Sequence, residues 1–126
     1  MKKEYSRTQR LGPLLREEIS RLLQREVKDV RIGGVTVNDV VVTPDLKEAT
    51  VYVQVHGDET RKAEAIAGLD SAAGFIRSRI GRGLRIRRTP ELHFEIDRTQ
   101  ERAARIHELL AEIDLPDEPP EEEDGG

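Results

Sequence analysis

Residues 77–90 read RSRIGRGLRIRRTP, with six arginines (Arg77, Arg79, Arg82, Arg85, Arg87 and Arg88) inside twelve residues and no acid among them. A guanidinium is a planar fork of donors, charged at any working pH, and its geometry matches phosphate or carboxylate oxygens. The chemistry this density suits is the binding of a polyanion. If all six met RNA phosphates, log affinity would fall with log salt at a slope of roughly −4 to −5. Lys2, Lys3, Arg7 and Arg10 form a second, sparser basic set at the amino end. The competing explanation is a charged edge that discourages strand-to-strand aggregation. One or two charges of either sign would do that work.

Other chemistries find less support. His56, His93 and His107 fall in three different predicted elements, without HExxH or His/Cys ligand spacing. His93 between Glu91 and Glu95 on one strand face would suit a metal ion, although a solvated polar face explains the same pattern. GRGLR lacks the GK[ST] ending of a phosphate-binding P-loop, and no GxSxG surrounds a serine. The chain reads as no enzyme, with no cofactor and no metal. Aromatic residues make up only 3% of it, so base stacking is not expected to carry recognition, and Tyr5 and Tyr52 are the rings considered for it. Shape and backbone reading of folded RNA fits better.

The formal net charge of −4 conceals a division. Residues 1–90 carry 18 Lys/Arg against 12 Asp/Glu, a net +6, while residues 91–126 carry 3 against 13, a net −10. A basic body with an acidic end points to a polyanion partner for the first part only. The chain has no cysteine, which removes disulfides, thiolate zinc and thiol nucleophiles. The start MKKEYSRTQR is charged, with no apolar run behind it, and nothing approaches the ~18 apolar residues of a membrane span. These features predict a soluble, cytoplasmic monomer with no membrane contact.

The elements that must position the arginines follow from periodicity. Leu11, Leu15, Ile19, Leu22, Leu23 and Val27 form one helical stripe. Gly12-Pro13 leaves two readings, a helix starting at Pro13 or an earlier turn from about Ser6 kinked there. The other face mixes Arg16, Arg21, Arg25 and Lys28 with Glu17, Glu18 and Glu26, as solvated ion pairs would. Two strands follow around Thr43-Pro44-Asp45. A phase slip near Asn38-Asp39 predicts a β-bulge in the first. Ile66, Leu69, Ala73, Ile76 and Ile80 give a second helical face, with a kink or a junction of two helices at Ala72-Ala73-Gly74. Leu84 and Ile86 alternate with Arg85 and Arg87, which would share a face if extended. A third strand follows Pro90. Asp97 and Gln100 resemble a capping box, and Ile106, Leu109, Leu110 and Ile113 give a last amphipathic helix. The expected class is α+β, a three-stranded sheet with helices on one face. The domain spans 1–115. The stretch 116–126, PDEPPEEEDGG, is expected to be a disordered acidic tail serving solubility or competing with RNA for the arginines.

Two stretches, LLQREVKDVRIGGVTVNDVVVTPDLKEATVYVQVHG (22–57) and SAAGFIRSRIGRGLRIRRTPELHFEID (71–97), in that order, resemble the bacterial ribosome-binding factor A family. The resemblance covers about residues 7–113. It implies a type II KH-like fold in which an Ala-x-Gly kink, here Ala72-Ala73-Gly74, replaces the GxxG loop. That replacement weakens the case for a single-strand clamp at this point. It also implies a non-catalytic factor for late maturation of the small ribosomal subunit. Such a factor binds the free 30S subunit near the neck and decoding region and contacts 16S rRNA. It assists 5′-end processing of that rRNA, especially in the cold, beside assembly GTPases. The acidic tail and Gly12-Pro13 depart from the family's core pattern.

Overall fold

The structure is a computed structural model describing the backbone of residues 2–114 and the side chains of residues 10–113. The first stripe folds as helix α1, Lys2–Arg25, with Leu15, Ile19 and Leu22 fully buried. The helix passes through Gly12 and Pro13 without a new start, so the reading that begins it at Pro13 is corrected. The glycine has a packing reason. A Cβ on Gly12 would lie 2.7 Å from the Val40 carbonyl oxygen, so α1 can rest directly on strand backbone only if that atom is missing. Pro13 faces solvent, and its missing N–H leaves one carbonyl of the preceding turn without its helical donor.

Strand β1 (Thr36–Val42) pairs antiparallel with β2 (Glu48–Gln54), and β3 (Glu91–Ile96) pairs parallel with β2, giving the order β1-β2-β3. The register slips between Val37 and Asp39, at the bulge the phase change predicted. Beyond that point Val40 and Val42 return to the buried face that Val37 occupies. Ala49, Val51, Val53, Leu92 and Phe94 complete the buried face of the sheet. A parallel pair needs a long crossover, and helix α2 (Glu59–Gly83) supplies it. Ala65, Leu69, Ile76 and Ile80 are its fully buried residues, closing one core with α1 and the sheet.

Ala72, Ala73 and Gly74 lie in the middle of α2, which runs unbroken from Glu59 to Gly83. Of the two readings of that point, the junction between separate helices is not formed, and no loop interrupts the helix. Asp58 caps α2 by accepting from Arg61 N–H at 2.9 Å. A 3₁₀ turn, Val30–Ile32, is strapped against α2: Arg61 donates to the carbonyls of Arg31 (2.6 Å) and Gly33 (2.7 Å). Within that turn Arg31 donates three hydrogen bonds from its side chain and one from its backbone to the Asp29 carboxylate. The Arg31 side chain, then its backbone N–H, hold the Asp29 pKa down to about 2.

The last helix, α3 (Thr99–Asp114), forms as expected but does not join the core. Ile106, Leu109, Leu110 and Ile113 remain between 43% and 63% exposed. Only its first turn is tied down. Arg98 bridges Glu59 (2.8 Å) and Glu101 (3.0 Å), and Lys62 reaches Glu101 at 3.2 Å. The Arg98 hydrogen bonds hold the Glu59 and Glu101 carboxyls below their usual range, with Lys62 adding to both. The capping box is also corrected. Asp97 accepts from Thr99 rather than pairing with Gln100, and its second oxygen takes a hydrogen bond from Asn38 at 2.9 Å. Both contacts lower the Asp97 pKa, Thr99's more than Asn38's. The acidic stretch 116–126 lies outside the described residues, as do the side chains of Lys2, Lys3, Tyr5 and Arg7.

Candidate nucleic-acid interface

The arginine-rich segment begins inside the last turns of α2 and folds back on them. Leu84 closes the helix, its N–H donating to the Ile80 carbonyl at 2.9 Å. Arg85 then adopts φ +55°, the left-handed conformation in which a helix usually ends on glycine. The chain reverses there. Residues 84–88 are therefore a turn rather than the extended run that would have set Arg85 and Arg87 on one strand face. Leu84 and Ile86 still point inward as partly buried core neighbours, while Arg85, Arg87 and Arg88 are exposed. Returning, the chain brings Thr89 Oγ1 to 3.1 Å from where a Cβ on Gly81 would stand, and Pro90 is fully buried.

The six arginines divide into two groups. Arg77 is half-buried and closes the loop: its Nε donates to the Pro90 carbonyl (3.0 Å) and Nη2 to the Thr89 carbonyl (2.9 Å). Arg79 pairs with Glu26, just after α1, at 2.7 Å and lies 4.8 Å from the Phe75 ring centroid. Arg82, Arg85, Arg87 and Arg88 are exposed and meet no carboxylate among the described residues. Arg82 stands in the last turn of α2 and Arg85, Arg87 and Arg88 in the loop that follows, whose return is held by Arg77 and the Gly81–Thr89 approach. Glu18, which lies against Gly83, is already held by Arg21 at 2.6 Å.

Helix α1 brings the second set toward the same end. Glu26, just after it, touches Arg79 and its Glu18 lies against Gly83, so the earlier residues of α1 continue past the end of α2. Arg10, eight residues before Glu18, is about 12 Å further along and exposed. The α1 backbone carries Lys2, Lys3 and Arg7 in the same direction. The expected web of ion pairs on α1 is only partly made. Arg21 takes Glu18 and Glu26, whereas Arg16, Arg25 and Lys28 are exposed without an acid partner among the described residues.

Sequence reasoning missed one residue. Phe75 is 40% exposed on the outer side of α2. It was legible in principle, because it falls off the Leu69-Ile76-Ile80 stripe by close to a third of a turn. Tyr52 is half-buried on the open face of the sheet.

Two further clusters have less to offer. The ligand atoms of Glu48, Glu91 and His93 lie within 4.8 Å of one another, so Glu48 on the neighbouring strand takes the place expected of Glu95. His93 Nε2 is 2.9 Å from Glu48 Oε1, and all three side chains are exposed. A cleft of about 400 Å³ at the other end of the molecule is lined by Asn38, Gln54, His56, Lys62, Asp97 and Gln100, among others. Among the described residues no helix is long and apolar enough to cross a membrane.

Comparison with known proteins decides the family. The family model described as ribosome-binding factor A matches residues 7–110. The chain belongs to the ribosome-binding factor A family. Ribosome-binding factor A of Halothermothrix orenii is 46% identical over 117 residues, covering 93% of this chain and 96% of that protein. The crystal structure of ribosome-binding factor A from Thermus thermophilus has a TM-score of 0.63 at 26% identity, covering 71% of this chain and 94% of that one. A homology model of the Thermus thermophilus factor, fitted into a cryo-EM map of a 30S–factor complex, has a TM-score of 0.51 at 28% identity, covering 68% and 93%. The α+β class and the three-stranded sheet are thus those of the ribosome-binding factor A structures.

Proposed function

We propose that the chain is a non-catalytic ribosome assembly factor that binds the free 30S subunit through 16S rRNA phosphates in the cytoplasm. It acts late in small-subunit maturation, assists 5′-end processing of 16S rRNA, and works beside assembly GTPases. The observation that carries this reading is the group of four exposed arginines at the end of α2 and in the loop that Arg77 closes, unpaired among the described residues, in a chain of the ribosome-binding factor A family. A guanidinium with no internal acid keeps its full charge for an external phosphate. Four such contacts give a salt slope of roughly −3 to −4. The fitted 30S complex of the Thermus thermophilus relative supports the choice of partner.

Sedimentation of cell extract tests it. The protein should travel with free small subunits at low salt, leave them as salt rises, and be depleted from translating ribosomes. Recovery only in the soluble fraction at every salt would refute the proposal. The other reading is a basic loop docking an acidic protein surface. A complex that survives nuclease treatment would favour that reading instead.

A further inference from the structure

We propose that the outer face of α2 at Phe75 is a stacking platform for an unpaired RNA base, beside the phosphate-binding loop. This goes beyond phosphate contact and rests on the reading that the partner is rRNA.

Three features converge on the position. Phe75 is the aromatic ring that α2 leaves toward solvent, 40% exposed, while the adjacent Ile76 is fully buried. Its neighbour Arg79 stands 4.8 Å from the ring centroid and is itself fixed by Glu26 at 2.7 Å. The guanidinium therefore holds the ring in one orientation and adds a cation–π surface next to it. An ordered ring loses less freedom when a base stacks on it than a mobile one would.

Gly74 adds a second argument. A glycine in a helix interior costs about 1 kcal/mol relative to alanine. Gly12, Gly68 and Gly81 each have an internal reason, because an added Cβ would stand 2.7–3.1 Å from a neighbouring atom. A Cβ on Gly74 would meet nothing within 4 Å, and its backbone is ordinary helix. No contact among the described residues requires it. What its absent side chain leaves is open surface at the residue before Phe75, and exposed Ser71 and Ser78 keep the flanking helix surface low.

Charge selects the occupant. Arg82 is exposed on the same helical face seven residues after Phe75, about 10 Å along the axis, and Arg85, Arg87 and Arg88 follow in the loop. A strand whose phosphates run over these guanidinium groups would pass a base across Phe75. A lone ring bordered by Ser, Gly and Arg is too narrow an apolar surface for a protein partner. Stacking is tolerant of base identity and prefers unpaired bases, whose faces are free.

The chain contains no tryptophan, so Phe75→Trp introduces a single fluorophore at the site. Short single-stranded oligoadenylate should quench the introduced indole as it binds, and an RNA hairpin duplex should bind without quenching it. Phe75→Leu should weaken oligoadenylate binding about tenfold and leave duplex binding unchanged. Gly74→Ala should make the protein more stable but weaken oligoadenylate several-fold. Oligoadenylate that binds by anisotropy without quenching, and equally well to Phe75→Leu, would overturn the platform and leave the phosphate reading intact. Failure of the unaltered protein to bind either RNA or free 30S subunits would overturn both.

Discussion

The two ends of α2 treat cations in opposite ways. At its amino end the basic side chains nearest the helix start are engaged. Arg61 holds two carbonyls of the 3₁₀ turn, and Lys62 and Arg98 share Glu59 and Glu101. At its carboxyl end Arg82, Arg85, Arg87 and Arg88 meet no carboxylate among the described residues. Residue type is the same at both ends, so the difference lies in what the fold brings within reach. Acids from α2 and α3 converge on the first end. The second end receives a returning loop and the face of α1, whose Glu18 is held by Arg21, while Glu26 just after α1 is held by Arg21 and Arg79. One end is self-neutralised and structural, while the other keeps its charge unpaired among the described residues.

The comparison is broken most severely by reversing charge at the unpaired end. Arg82→Glu with Arg85→Glu and Arg88→Glu should lower 30S affinity by about 100-fold or more at low salt and flatten the salt slope by about 2–3. The circular dichroism spectrum should not change, because none of the three side chains bonds to another described residue. Unchanged affinity with an intact spectrum would mean the loop is not the interface. Removing Arg77 attacks the scaffold instead. Arg77→Ala strips two carbonyls of a charged donor and should lower unfolding free energy by about 1–2 kcal/mol in denaturant titration. Arg79→Ala loses a half-exposed ion pair and should cost less than about 1 kcal/mol.

Arg85 sharpens the contrast within the loop. A left-handed non-glycine residue is strained by about 1 kcal/mol, so Arg85→Gly should raise stability by roughly that amount while lowering 30S affinity several-fold. A variant that gains stability and keeps full affinity would show that the side chain is idle. At the amino end the smallest effect is expected. Glu59 and Glu101 have folded pKa values below their ordinary 4.5, so their contribution is present above that value and lost as pH falls through the depressed ones. Hydrogen exchange in the first turn of α3 should quicken as pH drops below about 4.5, after correction for the intrinsic rate. The basic loop, with no acid of its own, should show no such change. Equal loosening of both ends would contradict the division.

Much of the scaffold was legible because it depends on local periodicity. The Leu15-Ile19-Leu22 stripe, the alternation through Val51 and Val53, and the slip at Asn38-Asp39 each report a face that must be buried, and each is buried as expected. The errors came where a distant segment overrides the local signal. Gly12-Pro13 left a helix start at Pro13 open because glycine and proline punctuate chains, yet Gly12 is the point where α1 meets the Val40 carbonyl. The α3 stripe read as an amphipathic helix, and it forms as one, but its apolar residues stay outside the core. Arg77 read as one of six equivalent cations, and only the return of Thr89 and Pro90 turns it inward.

Sequence alone determined the charge density of residues 77–88 and the elements that carry it, since composition and period are properties of neighbouring residues. Tertiary structure decided which arginines remain available, because a guanidinium is neutralised or left free by groups that are close in space and far along the chain. Glu26 is 53 residues from Arg79, and no local pattern could have paired them.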